Sequence, residues 1–229
     1  MLLKCPFQLD RVLTISLLVV FVASPITLFA AAKEQCESID TYIDSILNEG
    51  LSGTSNCIEP ASVREFPVNI TVNCTVIEGG FRNGIVTGLT SAKRKGSCNR
   101  SGSDDGGELY TCPLSLNGTF INYYGFVKAG YNFRPNHYCF MGLAIKNSTV
   151  QAQLSIKNEA VTLKTLCLEE VDFEFTHVID DKQKYLFERT VKPIVLDIFS
   201  GLVNSTFRDS LSDAIAKKYT SLGDVPIVD

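Results

Sequence analysis

The carboxyl-terminal end of the chain carries a long amphipathic pattern that the rest of the protein must accommodate. From about Leu186 to Tyr219, apolar residues recur at the period of an α-helix, with Pro193 near the predicted start. One helix of this length cannot bury its apolar stripe alone, so another element must cover it. The stripe consists of Val191, Ile194, Val195, Ile198, Phe199, Leu202, Val203, Phe207, Leu211, Ile215 and Tyr219.

The middle of the chain has the period of β-strands. Apolar and polar side chains alternate over residues 66–78, which predicts one half-buried strand. Turn residues separate further β-like runs at 85–93, 108–116, 119–129, 137–146, 150–157 and 161–178, an order that favours an antiparallel meander. The face of the 66–78 strand that we expect to point inward carries Val68, Ile70, Val72, Cys74 and Val76.

A shorter helix is predicted at the amino-terminal side of these strands. Residues 37–49 have helical spacing, and Gly50 is expected to end the helix as a carboxyl-terminal cap. A helix, then antiparallel strands, then a long helix predict an α+β protein in which a curved sheet covers the long helix. We therefore expect a single domain over residues 33–229.

The amino terminus has the features of a secretory signal peptide. Lys4 and Arg11 precede an uncharged run that ends in three alanines, which predicts a signal over residues 1–32 with cleavage after Ala32. An uncleaved membrane anchor is the alternative, because the run is also about long enough to span a bilayer. Cleavage predicts a secreted, extracellular protein without stable membrane insertion.

Removal of the signal leaves seven cysteines, which predicts three disulfides and one unpaired thiol in an oxidising compartment. Cys98 and Cys112 flank a basic turn and are candidates to staple a hairpin. Cys74 either forms a bridge or is the buried unpaired thiol, and the thiol is preferred. The remaining pairs follow by elimination: Cys139 with Cys167, and Cys36 with Cys57.

Six tripeptides have the Asn-x-Ser/Thr form that accepts N-linked glycans. A glycosylated asparagine must face solvent, so each of them is also predicted to lie on the surface. They begin at Asn69, Asn73, Asn99, Asn117, Asn147 and Asn204.

Composition and motifs argue against several classes of function. A net charge of −4 and a pI near 5.3 do not suit nucleic-acid binding. The sequence has no hydrolase elbow, no His-Glu-x-x-His and no phosphate-binding glycine loop, and no cysteine spacing typical of zinc. We predict a protein that is not an enzyme and uses no cofactor or metal.

Two stretches resemble the group-seven mite allergens. In residues 81–97 an Arg-Asn pair at 82–83 is followed by Gly-Leu at 88–89 and Lys-Arg-x-Gly at 93–96, as in the second-strand segment of those proteins. The ending from Pro193 to Lys218 is similar to their final helix, and the order of elements matches over roughly residues 37–219. The many cysteines and glycan acceptors depart from that family.

The resemblance extends more loosely to the tubular lipid-binding superfamily, which includes the juvenile-hormone-binding, takeout-like and bactericidal/permeability-increasing proteins. It implies a strongly curved antiparallel sheet around the long helix, with an apolar groove between them that holds a lipid or another hydrophobic small molecule. The residues that would form this groove are Val68, Ile70, Val72, Val76, Phe120, Tyr124, Phe126, Phe173, Phe175, Ile194, Ile198, Phe199, Leu202 and Val203.

Two functional hypotheses follow. The first is a secreted carrier or scavenger of a hydrophobic molecule, and the same apolar residues could also form a solid core. The second is a protein-interaction factor that uses the fold as a scaffold for the charged turn at residues 93–107. Basic residues in that turn, Lys93, Arg94, Lys95 and Arg100, could attract anionic lipid headgroups, although a solvated loop is the more common role of such a cluster.

Secretion and glycosylation can be tested together. We expect protein recovered from the medium of a eukaryotic secretory host to begin at Lys33 and to lose mass on treatment with peptide N-glycosidase. Amino-terminal sequencing and intact-mass measurement provide the two readouts. A chain that stays in the membrane fraction with residues 1–32 attached would instead support the anchor.

Overall fold

The computed structural model describes residues 39–51, 58–72, 75–104, 106–129, 137–158, 160–177 and 181–221. The predicted signal peptide, Cys36, Cys57, Asn73 and Cys74 lie outside these ranges. Cys139 lies in a strand, but its side chain is also outside what the structure describes.

The described residues contain nine strands, all antiparallel and all in one sheet. This large antiparallel sheet was expected from the alternating patterns. The strands are β1 (Ala61–Val63), β2 (Phe66–Val72), β3 (Thr75–Thr87), β4 (Lys93–Arg94), β5 (Asn99–Asp104), β6 (Gly107–Ser115), β7 (Phe120–Ala129), β8 (His137–Lys157) and β9 (Ala160–His177).

Strand β8 organises the sheet. One edge of β8 pairs with β9. The other edge pairs with β7 along the amino-terminal part of β8 and with β6 along its carboxyl-terminal part. Strand β3 continues the sheet beyond β7, with β1 and β2 on its far edge, and β4 and β5 pair with the far edge of β6. Register shifts interrupt the β8–β9 ladder at four places, and such bulges bend a strand and increase its twist.

Residues 137–146 and 150–157 form one strand and not the two that were predicted. The polar residues between them stay in the sheet because their groups find partners in neighbouring segments. The Ser148 hydroxyl is buried, donates to the Asn117 side chain at 3.1 Å and accepts the backbone N–H of Leu116 at 2.7 Å. The connection between β6 and β7 therefore stabilises the centre of β8.

The predicted single strand at 66–78 is instead the hairpin of β2 and β3. Val72 pairs with Thr75, and this register places Val76 opposite Thr71. Because both of those side chains are exposed, Val76 lies on the outer face and not with Val68, which is buried. The alternation of apolar and polar residues is unbroken from β2 into β3, so the sequence of this hairpin has the same pattern as one long strand.

The region from 85 to 107 also differs from the prediction. Strand β3 ends at Thr87, and Leu89–Ser91 forms a 3₁₀-helix before the short β4. Inside the predicted turn at 93–107, residues Asn99–Asp104 form β5, which pairs with β6. Every side chain of β5 is exposed.

Two helical regions accompany the sheet. Helix α1 covers residues 39–51 and is π-helical over Ile46–Gly50. Helices α2 (Asp181–Leu202) and α3 (Arg208–Ser221) are joined by π-helical Val203–Phe207, so the chain is helical from 181 to 221. Among the helices in the described ranges, none has the length and apolar character needed to cross a membrane.

The long carboxyl-terminal helix confirms the prediction, although it begins earlier and holds Pro193 in its interior. Its predicted apolar stripe is buried apart from Ile194, which is half-buried, and Tyr219, whose side chain lies outside the described part. Helix α3 packs against β9 and α1, while α2 contacts β9 and β1. The core lies between these helices and one face of the sheet, which we call the inner face.

Gly50 does not cap α1 as predicted. The helix continues to Leu51, and Gly50 itself has a helical backbone. A Cβ atom added at Gly50 would lie 2.9 Å from the Cβ of Ala214 in α3, which is too close for two carbon atoms. The glycine is therefore required by the close approach of α1 and α3.

Two helical glycines should respond in opposite ways to alanine. Gly50→Ala should destabilise the protein by about 1–3 kcal/mol because the methyl group collides with Ala214. Gly201→Ala is the matched control, since a Cβ there meets nothing within 4 Å, and it should stabilise by up to about 1 kcal/mol. Denaturant unfolding measures both. Gain of stability in Gly50→Ala would contradict the packing described here.

Candidate ligand-binding site

One direct contact between helix α2 and the inner face of the sheet is made by two aromatic rings. The rings of Phe173 on β9 and Phe199 on α2 have centroids 5.9 Å apart and meet edge to face at 83°. Val195 and Val203, one turn before and after Phe199, are fully buried. Since the two rings meet directly, space for a ligand in this region lies beside the contact.

One cleft lies between α2 and β1, and we call it the β1 cleft. Its volume is about 430 Å³, within the range of small-molecule sites. The apolar part consists of Val63, Ile198 and Leu202, and polar groups surround it. The full lining is Ser62, Val63, Arg64, Asp197, Ile198, Gly201, Leu202, Ser205 and Thr206.

The β1 cleft follows the axis of the helix. Asp197, Gly201 and Ser205 are four residues apart, so they lie above one another on one side of the helix. From 197 to 206 the helix rises by roughly 13 Å. The cleft is open at its centre because Gly201 has no side chain there.

Buried aromatic residues fix the backbone on the sheet side of the β1 cleft. The Tyr123 hydroxyl donates to the backbone carbonyl of Arg64 at 3.2 Å, and its ring contacts Phe66 and Phe81 edge to face. Burial raises the pKa of Tyr123 to about 12, although the nearby charge of Arg64 acts in the opposite direction. Gly84 leaves room for this ring, because a Cβ there would lie 2.3 Å from it.

An ion pair joins the two walls of the β1 cleft. The guanidinium of Arg64, which follows β1, contacts the carboxylate of Asp197 on α2. Both side chains are largely exposed, at 65% and 73%. An exposed pair of this kind contributes little to stability, so its partners can exchange with other charged groups.

A second cleft of about 580 Å³ lies between α2 and β9, and we call it the β9 cleft. Its apolar part comes from Leu168 and Val171 on the sheet and from Pro193 and Leu196 on the helix. The charged residues among its lining are all acidic. The lining comprises Leu168, Glu169, Glu170, Val171, Pro193, Leu196, Asp197 and Ser200.

The sequence-predicted groove residues fall into separate places. Ile198 and Leu202 line the β1 cleft, whereas Val68, Phe173, Phe175, Phe199 and Val203 are buried in the core. Ile194 and Phe126 are half-buried. Ile70 and Val72 lie in β2, but their side chains are outside the described part of the structure.

Four predicted groove residues lie on the outer face of the sheet. Val76 lies there because it is opposite the exposed Thr71, and Phe120 and Tyr124 are 45% and 59% exposed. Phe126 alternates with Gly125, which is opposite the buried Phe81, so it shares the face of Tyr124. Strand β7 alternates, and it is Ile121 and Tyr123 that point to the core. With aromatic or aliphatic residues on both faces, the sequence of β7 did not indicate which set was inward.

Sequence reasoning missed most of the cleft lining. Val63 and Arg64 belong to a three-residue strand and its exit, and Leu168 and Val171 fall on either side of a bulge in β9. Gly201 was the one available signal, because a glycine inside a strong helical pattern frequently marks a packing or binding requirement.

The Cys98–Cys112 disulfide is present, with an S–S distance of 2.04 Å, and it staples the β5–β6 hairpin at its base. The predicted pairing of Cys139 with Cys167 is wrong. Cys167 is an exposed free thiol opposite Gln151, whereas Cys139 lies twelve residues away along β8, opposite Gly125. A strand rises by about 3.3 Å per residue, so the two cysteines are far apart.

The basic cluster is largely occupied by partners within the protein. Arg94 forms ion pairs with Asp40 and Asp44 of α1 at 3.0 and 2.7 Å. Lys95 donates to Asn147 and Thr149 on β8, and Arg100 pairs with Glu108 at 2.7 Å. These contacts fix the segment to the fold, and Lys93 is exposed.

Four of the predicted glycan acceptors are exposed, as glycosylation requires: Asn69, Asn99, Asn117 and Asn204. Asn147 is half-buried, and its side-chain oxygen accepts from Lys95. Occupancy of all six sites stays a prediction. In the described ranges, no group of three or more His, Cys, Asp or Glu side chains is placed to hold a metal ion.

Removal of the Tyr123 hydroxyl should change the response of the protein to alkaline pH. The folded-state pKa near 12 lies above the unfolded value near 10, so stability from the neutral phenol is present below about pH 10 and is lost as the pH rises through 12. Wild type should therefore lose more unfolding free energy between about pH 9 and 11 than Tyr123→Phe. Equal losses in the two proteins would contradict this assignment.

One solved structure supports the fold. The chain is similar to the crystal structure of lipopolysaccharide binding protein, with a TM-score of 0.50 and 13% sequence identity over 72% of this chain and 37% of that one. The chain therefore spans little more than a third of that protein. The structure of Takeout 1 from Epiphyas postvittana matches 81% of this chain and 92% of its own at 12% identity, with a TM-score of 0.34 that is too low to indicate a shared fold. No protein-family model and no curated protein sequence matches the chain.

Proposed function

We propose that this protein is a secreted carrier or scavenger that binds a lipid or another hydrophobic small molecule beside helix α2. The observation that carries the proposal is the β1 cleft, where Val63, Ile198 and Leu202 form an apolar floor between the helix and the sheet. An apolar chain laid on this floor leaves water, which is favourable by about 25 cal/mol for each Å² buried.

The fold supports this proposal independently of the cleft. The matched solved structure belongs to a protein named for binding lipopolysaccharide, which is an amphiphile, and an apolar face covered by a helix is a suitable place for such molecules. The resemblance of residues 81–97 and 193–218 to the mite allergens leads to the same class of ligand.

Secretion is part of the proposal. It rests on the signal-like residues 1–32, on the six glycan acceptor sites and on the Cys98–Cys112 disulfide, since disulfides persist in oxidising compartments.

A role in protein interaction is the second candidate function. The feature that favours it is the β5–β6 hairpin, in which every β5 side chain is exposed and the base is held by a disulfide. We rank it second because Arg94, Lys95 and Arg100 are already paired within the protein.

Filling the β1 cleft should abolish ligand binding without unfolding the protein. Gly201→Phe places a ring in the space above Ile198 and Leu202, whereas Gly201→Ala adds only a methyl group. Secreted wild type and Gly201→Ala should carry hydrophobic ligand that solvent extraction and mass spectrometry detect. Gly201→Phe should carry about tenfold less, because a ligand that cannot settle against the floor loses its apolar contacts.

The unfolding midpoints of the two variants serve as the control, because they show whether both proteins are folded. If Gly201→Phe is folded and still retains ligand, the molecule binds elsewhere. If wild type yields no ligand on extraction and binds no fluorescent lipid probe, the proposed carrier function is wrong.

A further inference from the structure

We propose that the β1 cleft selects amphiphiles with an anionic head group, which Arg64 binds in place of Asp197. This inference rests on the proposed function and names the class of ligand. The shared chemistry is an alkyl chain with a carboxylate or a phosphate at one end.

The first argument is the position of charge along the cleft. Arg64 is the one cation among the residues that line it, and it stands where β1 ends, beside the apolar floor of Val63, Ile198 and Leu202. A planar guanidinium can donate two parallel hydrogen bonds to a carboxylate or a phosphate. An alkyl chain along the helix axis would therefore have its anionic end at Arg64.

The second argument is that the present partner of Arg64 can be displaced at little cost. Asp197 is 73% exposed, so after an exchange its carboxylate is still hydrated and no charge is left buried and unpaired. A ligand head group replaces one carboxylate by another anion. The ligand also buries its alkyl chain, which adds a favourable free energy that the exchange of Asp197 alone does not provide.

The third argument is that the backbone of Arg64 is held in place. The Tyr123 hydroxyl donates to the backbone carbonyl of Arg64, and the Tyr123 ring packs edge to face against Phe66 and Phe81. The side chain of Arg64 therefore extends from a fixed point of the main chain, and little backbone freedom is lost when the guanidinium binds a head group.

The β9 cleft provides the contrast. Its charged lining residues are Glu169, Glu170 and Asp197, with no cation among them. An anionic head group would be repelled there, so the two clefts on either side of α2 differ in the sign of charge they accept. Selection for anionic amphiphiles is thus assigned to the β1 cleft.

The test compares head groups on one chain length. Dodecanoate, dodecyl phosphate and dodecanol are titrated at pH 7 and low salt into the delipidated full protein, below the micellar concentrations of the two anions and the solubility limit of the alcohol. Wild type should bind the anions about fivefold more tightly than the alcohol, and this preference should weaken as salt is added. The two anions distinguish a carboxylate site from a phosphate site.

Two variants and a matched control assign the preference to Arg64. Arg64→Gln should lose the preference while dodecanol binding is unchanged, and Asp197→Asn should bind the anions more tightly because the internal competitor is gone. Arg82→Gln should behave as wild type. Arg82 is equally exposed and also near one carboxylate, that of Glu65, but it lies opposite Tyr124 on the outer face of β3 and does not line the cleft.

The outcomes separate this inference from the proposed function. If wild type binds all three probes equally, or Arg64→Gln keeps the preference, the head-group assignment is wrong and the carrier function stands. If Arg64→Gln weakens dodecanol as much as dodecanoate, Arg64 only supports the cleft wall, which also overturns the inference. If no probe binds to wild type, the carrier function itself fails.

Discussion

The contact between the apolar stripe of the carboxyl-terminal helix and the inner face of the sheet determines the rest of this structure. Val195, Phe199 and Val203 are fully buried there, and Phe199 meets Phe173 of β9 directly. Neither surface could be exposed to water without a large loss of free energy, because each is continuous over many residues. The helix is thereby set against the sheet, and its flanks become the walls of the two clefts.

The clefts differ because the elements on the two sides of α2 differ. On one side the short β1 ends at Arg64, and Gly201 leaves the helix surface open. On the other side β9 contributes Glu169 and Glu170 close to the bulge in its ladder with β8. A symmetrical apolar groove would not discriminate between head groups, whereas a single cation beside an apolar floor would favour anionic ones.

Prediction from sequence succeeded where a pattern had one interpretation. The residues of the stripe from Val191 to Ile215 recur at helical spacing, and the burial of all of them but the half-buried Ile194 follows from that period. It failed where two arrangements fit the same residues. The alternation over 66–78 suits one strand as well as a hairpin, and β7 carries apolar residues on both of its faces. Gly50 has the local appearance of a cap, yet the reason for it is Ala214, which is more than a hundred residues away.

The sequence alone determined the overall order of a helix, antiparallel strands and a long helix, the burial of that long helix, and the candidate hairpin disulfide, because each depends on neighbours in the chain or on a strict period. Tertiary structure decided which face of each strand is inward, which cysteines are too far apart to pair, and that Arg64 faces Asp197 across the β1 cleft. Those facts depend on register and on the approach of distant segments. A one-residue change in register reverses every side chain of a strand, so local pattern cannot supply them.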